Sequence, residues 1–207
     1  MFKGTPSIIA QRREEIVGAC EKLYQTMSFK DITLKEISNV TSFSRPTIYN
    51  YFHTKEEIFL ALFEREYDRW NEDLEKILDN EKIFTDKELA GQIAKSLESR
   101  SQLLKLLSMN NYDMEENSRE ELLASFKTAY GRSLALFREI LVKHCKGMSN
   151  AEVEQTVYIF FPFMFGIYPY AEVTVKQKEA MKTAGIDFKN QSIYEITYNC
   201  LIKLFDK

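Results

Sequence analysis

The chain has 207 residues, of which 44% are hydrophobic and 29% are charged, an ordinary composition for a globular protein with one small and one medium domain. Its seven glycines and four prolines are too few for a β-sandwich or barrel with many turns. The formal net charge of −3 argues against a general nucleic-acid binder.

The charge is unevenly distributed along the chain. Residues 1–55 contain eight Lys or Arg and five Asp or Glu, a net charge of +3, whereas the rest of the chain carries −6. A positive end on a negative body is typical of a protein that contacts phosphate with one end only.

The cysteines predict neither a disulfide framework nor a metal site. Cys20, Cys145 and Cys200 are odd in number and far apart, so we expect buried thiols, with a redox-sensing thiol as the alternative. The first residues lack the apolar core of a signal peptide, and the apolar run 158–170 is too short to span a bilayer. We therefore expect no membrane contact and a cytoplasmic location.

Helix starts are marked by capping boxes, in which Ser or Thr is followed three residues later by Glu. Six such pairs occur, at Thr33/Glu36, Thr54/Glu57, Thr85/Glu88, Ser118/Glu121, Ser149/Glu152 and Ser192/Glu195. No segment alternates with the period of two that is typical of a strand, so the sequence predicts an all-α fold.

Apolar residues at steps of three and four place the helices in chain order. The predicted helices are 8–27, 34–40, 45–52, 55–78, 86–97, 100–109, 119–146, 150–168 and 192–206, with a short one near 174–184. Residues 109–114, which mix polar and apolar side chains, are predicted to form a loop.

Residues 33–55 have the layout of a helix-turn-helix, with two short helices on either side of a brief turn. Ser44 can cap the second helix, and Pro46 is acceptable in its first turn. The apolar side chains expected to hold the pair together are Leu34, Ile37, Val40, Phe43, Ile48 and Phe52.

The stretch 47–52, followed by Lys55 and Glu56, resembles the hallmark of the TetR family, and the resemblance covers about residues 10–62. It implies an N-terminal helix-turn-helix DNA-binding domain of three helices in residues 1–55. A long fourth helix would join this domain to a helical ligand-sensing and dimerisation domain in residues 56–207. One departure is the turn 41–43, which lacks the usual glycine, so we expect a residue with left-handed dihedral angles there.

The resemblance implies that the second helix of the motif enters the major groove. Arg45 at its start can donate two hydrogen bonds to guanine O6 and N7. Pro46 and Thr47 can contact a thymine methyl group or a phosphate, and Asn50 can contact a base or a phosphate. Ser44 belongs to the same predicted surface. The alternative for Arg45 is a solvated charge.

Phosphate contacts are implied for Tyr49, Tyr51 and Lys55 by the family pattern, and for Thr33 by its place at a helix N-terminus. Packing within the small domain is the alternative for the two tyrosines, and Thr33 can serve as a cap as well. Further phosphate contacts could come from a basic N-terminal arm that contains Lys3, Arg12 and Arg13.

In TetR-like proteins the last two long helices form a four-helix bundle with their symmetry mates. The resemblance assigns this role to helices 150–168 and 192–206, which predicts a homodimer. A two-fold dimer sets two recognition helices about 34–36 Å apart, the spacing needed to read a palindrome.

A ligand pocket is expected between the fourth helix and the helices near 100–168, with few charges in its lining, which predicts a small apolar or aromatic ligand and no cofactor. The alternative for each lining residue is simple core packing. The candidates are Trp70, Met109, Tyr112, Phe126, Tyr130, Phe137, Phe161 and Phe165.

The predicted function is a ligand-responsive repressor that binds a palindromic operator, repression being the family's usual behaviour. One alternative is a helical interaction protein whose helix-turn-helix no longer binds DNA. An enzyme is disfavoured because His53 and His144 are distant in sequence and no catalytic motif is present.

Overall fold

The computed structural model describes residues 5–109 and 111–206, which contain α-helices and no strand. In this part of the chain the helices are α1 (Pro6–Thr26), α2 (Leu34–Asn39), α3 (Arg45–Tyr49), α4 (Lys55–Leu78), α5 (Asp86–Glu98), α6 (Ser101–Leu107), α7 (Asn111–Glu116), α8 (Glu120–His144), α9 (Asn150–Ala171), α10 (Val175–Thr183) and α11 (Ile193–Phe205). The predicted all-α class is confirmed.

Two predicted elements need correction. The segment predicted as a loop at 109–114 contains α7, a short helix that buries Met114 although its other described side chains are mostly polar. The recognition helix α3 is shorter than predicted, because it ends at Tyr49 and continues as a turn through Asn50 and Tyr51.

In the part of the chain that the structure describes, α5, α9, α10 and α11 begin with a complete capping box. Three were predicted, at Thr85/Glu88, Ser149/Glu152 and Ser192/Glu195, and Thr174/Gln177 is a fourth that uses glutamine instead of glutamate. These boxes fix where α5, α9, α10 and α11 start.

The other predicted boxes differ in their details. Thr54 Oγ1 accepts a hydrogen bond from the Glu57 amide, but the Glu57 carboxylate accepts from the His53 amide instead of returning to Thr54. Ser118 lies two residues before α8, and its hydroxyl donates to the Met114 carbonyl of α7 at 2.7 Å.

The chain divides into two compact units, and α4 and α8 contribute residues to both. The first unit comprises Met1–Arg65 and Asn110–Thr128, and the second comprises Glu66–Met109 and Ala129–Lys207. The first unit therefore extends beyond the predicted boundary at residue 55 and takes in a segment from the middle of the chain.

The first unit has a core of aliphatic and aromatic side chains from α1 to α4. The Phe59 ring packs edge-on against Tyr24 at 5.2 Å and against Phe29 at 4.7 Å between ring centroids. Ile16, Leu34, Ile37, Ile48, Phe52 and Leu62 are also buried. Val40, predicted to join this core, is 49% exposed instead, because it follows the last residue of α2.

The second unit packs α11 against α5 and α9, and α6 against α9. Trp70 on α4 is fully buried, and its indole N–H donates to Ser96 Oγ on α5 at 3.0 Å. The hydrogen bond satisfies the one polar atom of the tryptophan side chain, as burial requires.

Helix α9 continues through Pro162 and Pro169, although proline removes a backbone hydrogen bond. It buries Phe160, Phe161 and Met164 on one face. The described part of the chain does not cover the opposite face, since Tyr158 is 76% exposed and Phe165 is 42% exposed. Within this chain the apolar segment 158–170 is thus buried on one side and exposed on the other.

The three thiols are buried or half-buried and free. Burial raises the pKa of Cys20, of Cys145 and of Cys200, so the thiolate form is disfavoured in each. Among the described residues, no helix combines the length and apolarity that crossing a membrane requires.

Candidate DNA-binding surface

Helix α3 has one buried side chain, Ile48, and presents its other residues outward. Arg45, Pro46 and Tyr49 are exposed, and Thr47 is half-exposed. Asn50, which follows the helix, is exposed as well. Ile48 therefore anchors the helix while its neighbours remain accessible to a partner.

The Arg45 side chain is held by Tyr49, one helical turn away. Its Nη2 donates to the Tyr49 hydroxyl at 3.0 Å, and the guanidinium carbon lies 5.6 Å from the centroid of the Tyr49 ring. Arg45 and Tyr49 thus form a pair in which the tyrosine fixes the orientation of the guanidinium group.

Ser44 lies at the N-cap of α3, but its side chain makes no hydrogen bond to the helix backbone. Its hydroxyl pairs with Thr47 Oγ1 at 2.9 Å instead. The prediction that Ser44 caps this helix through its side chain is therefore wrong, and both hydroxyls lie at the exposed start of α3.

Tyr51 differs from Tyr49 in being buried, with 4% exposure. Its hydroxyl accepts a hydrogen bond from Arg12 Nη1 at 3.1 Å, and the Arg12 guanidinium also lies 5.9 Å from the centroid of the Phe43 ring. The Tyr51 ring is thus part of the core, as the packing alternative expects, and its phosphate contact stays a prediction. Lys3 of the predicted basic arm lies outside the described residues.

The turn between α2 and α3 needs no left-handed residue. Among the described residues only Gly185 has a positive φ angle, so the strain expected at 41–43 is absent there. Glu15 on α1 holds the turn instead: its Oε1 accepts from both the amide and the hydroxyl of Ser42, each at 2.7 Å. These bonds lower the pKa of Glu15.

Thr33 and Lys55 lie at the starts of α2 and α4. Thr33 Oγ1 accepts from the amides of Lys35 and Glu36, so its cap role is realised, and its side chain is exposed. Lys55 Nζ donates to the Phe29 carbonyl at 2.8 Å and lies 4.2 Å from the centroid of the Phe29 ring.

A contact that sequence reasoning missed joins Arg119, just before α8, to Glu57 on α4. Arg119 Nε donates to Glu57 Oε1 at 2.7 Å and Nη2 donates to Oε2 at 3.0 Å. The Arg119 amide donates to the same Oε1 at 3.2 Å, and Nη2 also donates to the Tyr51 carbonyl at 3.1 Å.

Burial raises the pKa of Glu57, but the hydrogen bonds from Arg119 and from the His53 amide outweigh it and lower the pKa overall. The Glu57 side chain is only 1% exposed. Its lowered pKa keeps it ionised at neutral pH, and the buried charge is stable because Arg119 and the His53 amide pair with it.

The residues predicted to line a ligand pocket fall into two groups. Four of them meet in the second unit: Phe161 lies 5.9 Å from Trp70, 5.9 Å from Tyr130 and 5.7 Å from Phe137, between ring centroids. Tyr67 and Phe160, which were not predicted, join this cluster.

The other predicted residues lie elsewhere. Phe126 packs against Phe63 in the first unit at 4.9 Å between centroids, and Tyr112 on α7 is 82% exposed. Met109, at the end of its segment of the second unit, is half-exposed, and Phe165 is on the uncovered face of α9.

Pockets on the second unit have other linings. One, of about 380 Å³, is bounded by Asp86, His144, Lys146 and Phe205. Another, of about 390 Å³, is bounded by Asp73, Phe84, Lys95 and Ser96, among others. Both volumes suit a small molecule, but charged side chains in the walls distinguish them from the apolar pocket that was predicted. In the described residues no cluster of His, Cys, Asp or Glu could hold a metal ion.

Two family models together match most of the chain. Residues 16–62 match the model described as bacterial regulatory proteins of the TetR family, and residues 64–188 match the tetracyclin repressor-like C-terminal domain. Comparison with curated proteins gave no match.

Several solved structures are similar to this one over nearly the whole chain. A TetR-family transcriptional regulator of Mesorhizobium loti is 19% identical, with a TM-score of 0.62 over 98% of this chain and 97% of that one. FadR of Bacillus subtilis, in complex with stearoyl-CoA, is 16% identical, with a TM-score of 0.61 over 93% of this chain and 97% of that one.

FadR of Thermus thermophilus, described as a transcriptional repressor in complex with lauroyl-CoA, is 18% identical, with a TM-score of 0.57 over 93% of this chain and 92% of that one. At these identities the structural likeness establishes the fold, while the matches to the two family models establish the protein family. The chain belongs to the TetR family of DNA-binding transcriptional regulators.

Proposed function

We propose that this regulator is a repressor that binds a palindromic operator as a homodimer, with α3 in the major groove, and that a small apolar effector releases it. The observation that carries the DNA part is the Arg45–Tyr49 pair on the exposed face of α3. A guanidinium fixed at the first residue of an exposed helix is well suited to donate to guanine O6 and N7.

The surrounding residues would supply contacts to the DNA backbone. Thr33, Ser44 and Thr47 carry hydroxyl groups at helix starts, and Asn50 is exposed beyond α3. Lys55 would exchange its bond with the Phe29 carbonyl for a phosphate oxygen. Such contacts fix the register of the protein on the duplex, whereas Arg45 reads a base.

A second copy of the chain is the proposed cover for the apolar face of α9, as members of this family act as dimers. Tyr158, Ile159, Phe165 and Tyr170 are each between 42% and 76% exposed and recur at helical spacing. Contiguous exposed apolar side chains of this size mark an interface in a folded protein. Helix α11, which packs on α9, would complete a four-helix bundle with its symmetry mate.

The test of DNA binding is selection from a random pool of duplexes at physiological salt, with Arg45→Ala in parallel. The parent should recover a palindromic motif, and the variant should lose preference at one guanine in each half-site. Lys95→Ala, which removes an exposed cation from α5, should recover the parent's motif. Weak binding without any motif would overturn the proposal.

We infer that the effector binds in the second unit near Trp70, Tyr130 and Phe161. Tyr130 is only half-buried there, while Asn71 and Ser133 hold a buried polar network beside the rings, with Ser133 Oγ donating to Asn71 Oδ1 at 2.6 Å. The two FadR structures were solved with acyl-CoA molecules, which makes acyl-CoA thioesters the first class to try. An effector that changes α4 or α8 acts on helices with residues in both units.

Trp70 reports on this site directly, because it is the only tryptophan in the chain and is fully buried in the cluster. Stearoyl-CoA and lauroyl-CoA should change its fluorescence saturably and weaken binding to the selected DNA, whereas CoA alone should do neither. If neither acyl-CoA changes the emission spectrum of Trp70, this ligand class does not bind at this site.

A further inference from the structure

The turn that follows the recognition helix α3 carries the carbonyl of Tyr51, two residues beyond the last helical residue Tyr49. Tyr51 and Phe52 donate their amides back to the Ile48 carbonyl, at 2.8 and 3.0 Å, so the chain still turns at Tyr51. The last carbonyls of a helix have no partner within it. The Tyr51 carbonyl obtains one from Arg119, 68 residues further along the chain.

The Arg119 guanidinium is itself fixed by Glu57. The carboxylate accepts from two guanidinium nitrogens and from the Arg119 amide, so both the side chain and the backbone at residue 119 are held. Glu57 in turn receives the His53 amide at 2.7 Å, from the segment between α3 and α4. A cation at this end of α3 also suits the helix dipole.

The position of Arg119 in the chain gives these bonds a consequence. Helix α8 starts at the next residue, Glu120, and runs to His144, and its residues from Ala129 onward belong to the second unit. Arg119, the residue before α8, therefore attaches the turn after the recognition helix to the start of a helix that the helix-turn-helix sequence does not include.

We propose that Arg119 is a positioning residue for DNA recognition: by binding Glu57 and the Tyr51 carbonyl, it holds the C-terminal end of α3 in the orientation that binds DNA. This rests on the proposed DNA-binding function. Arg119 itself makes no DNA contact in this account, although its side chain is 35% exposed. Displacing the start of α8 would break the hydrogen bonds to α3 and lower the affinity for DNA.

The experiment compares Arg119→Ala and Arg119→Lys with the parent on the DNA that the parent selects. Arg119→Ala should weaken binding by about tenfold or more, because charge-assisted hydrogen bonds to the helix end are lost. Arg119→Lys should recover little of this loss, since an ammonium group cannot make the forked contact with Glu57 and Tyr51. Arg132→Ala, which removes an exposed ion pair with Glu75 further along α8, is the matched control and should bind as the parent does.

Two measurements separate positioning from the other roles Arg119 could have. The slope of log K against log salt should be unchanged in Arg119→Ala, whereas loss of a direct phosphate contact reduces its magnitude by about 0.9. Amide hydrogen exchange should accelerate at residues 48–53 while the amides of α1 keep their protection.

The proposal is overturned if Arg119→Ala binds DNA as the parent does, if its salt slope falls by about one phosphate, or if protection is lost evenly over the first unit. Should the alanine variant not fold, Arg119→Lys carries the same comparisons. A parent that selects no DNA at all would refute the proposed function, whereas a parent that binds and an Arg119 variant that binds equally well would refute only this inference.

Discussion

Residues two positions apart on the recognition segment have different roles, as Tyr49 and Tyr51 illustrate. Tyr49 is 40% exposed and orients Arg45, whereas Tyr51 is 4% exposed and packs in the core beside Phe43. The family resemblance pointed to both as phosphate contacts. Spacing alone could not separate them, because α3 ends between them and the helical periodicity used for the prediction ends with it.

At the scale of residues, the sequence also could not predict which distant side chains hydrogen-bond to the loops. Glu15 accepts both bonds from Ser42 across 27 positions, and Arg119 reaches Glu57 across 62. Such pairs have no short motif, since they depend on how separate helices pack. The sequence shows that the turn lacks the family's glycine, but it does not show that hydrogen bonds from Ser42 to Glu15 stabilise the turn.

Glu57 should make the free energy of unfolding depend on pH. Its pKa is lowered in the folded state, so its contribution is fully present above the ordinary value of 4.5 and is lost as the pH falls through the folded value. Glu57→Gln should therefore cost about 2 kcal/mol at pH 7, discounted for the partial exposure of Arg119, and progressively less below pH 4.5.

Urea unfolding of parent and variant between pH 3 and pH 7 measures this difference, with Glu116→Gln as a control for removing one exposed negative charge. A difference between parent and Glu57→Gln that stays constant over the whole range would contradict the account of Glu57.

At the scale of elements, most helices could be predicted because apolar periodicity and capping boxes agree. Helix α4 has the predicted bounds, and α5, α9 and α11 start where their boxes put them. Helix α7 was missed for a physical reason: it has six residues and buries Met114 among polar neighbours, so it presents no apolar stripe. Short helices of this kind are stabilised by tertiary contacts more than by propensity.

Substituting Ser149 and Ser118 tests the assignment of the helix caps, since the same sequence pattern predicted a capping box at each serine. Ser149 closes a complete box at the start of α9, whereas the Ser118 hydroxyl donates to the Met114 carbonyl. Ser149→Ala should lower the free energy of unfolding by about 1 kcal/mol, and Ser118→Ala should lower it by less. Chemical denaturation of the two variants measures these free energies of unfolding. Equal losses in the two variants would count against the assignment of the α9 cap.

For the whole molecule, the family and the all-helical class could be predicted from sequence, while the division into units could not. The first unit takes in 110–128, a segment remote in sequence from the helix-turn-helix. The aromatic cluster around Phe161 was predicted in part, because aromatic residues signal a core without indicating which of them meet. Phe126 and Phe165 carry the same signal and lie elsewhere.

The proposed dimer can be tested on α9. Phe165→Asp places a charge on the uncovered apolar face and should shift the protein from dimer to monomer in sedimentation equilibrium, because burying an unpaired carboxylate at an interface is costly. Val142→Asp is the matched control, since Val142 is 57% exposed on α8 and outside this face. A parent that sediments as a monomer, or a Phe165→Asp variant that remains dimeric, would contradict the proposed interface.

The central claim is that Arg45 on α3 reads a guanine, and a protein–DNA double-mutant cycle tests it most directly. The parent and Arg45→Ala are titrated with the selected operator and with the same operator carrying 7-deazaguanine at the preferred position. The account predicts that removing N7 weakens the parent and leaves Arg45→Ala unaffected, with a coupling energy of about 1–3 kcal/mol. Additive losses, in which N7 removal weakens the parent and Arg45→Ala equally, would contradict it.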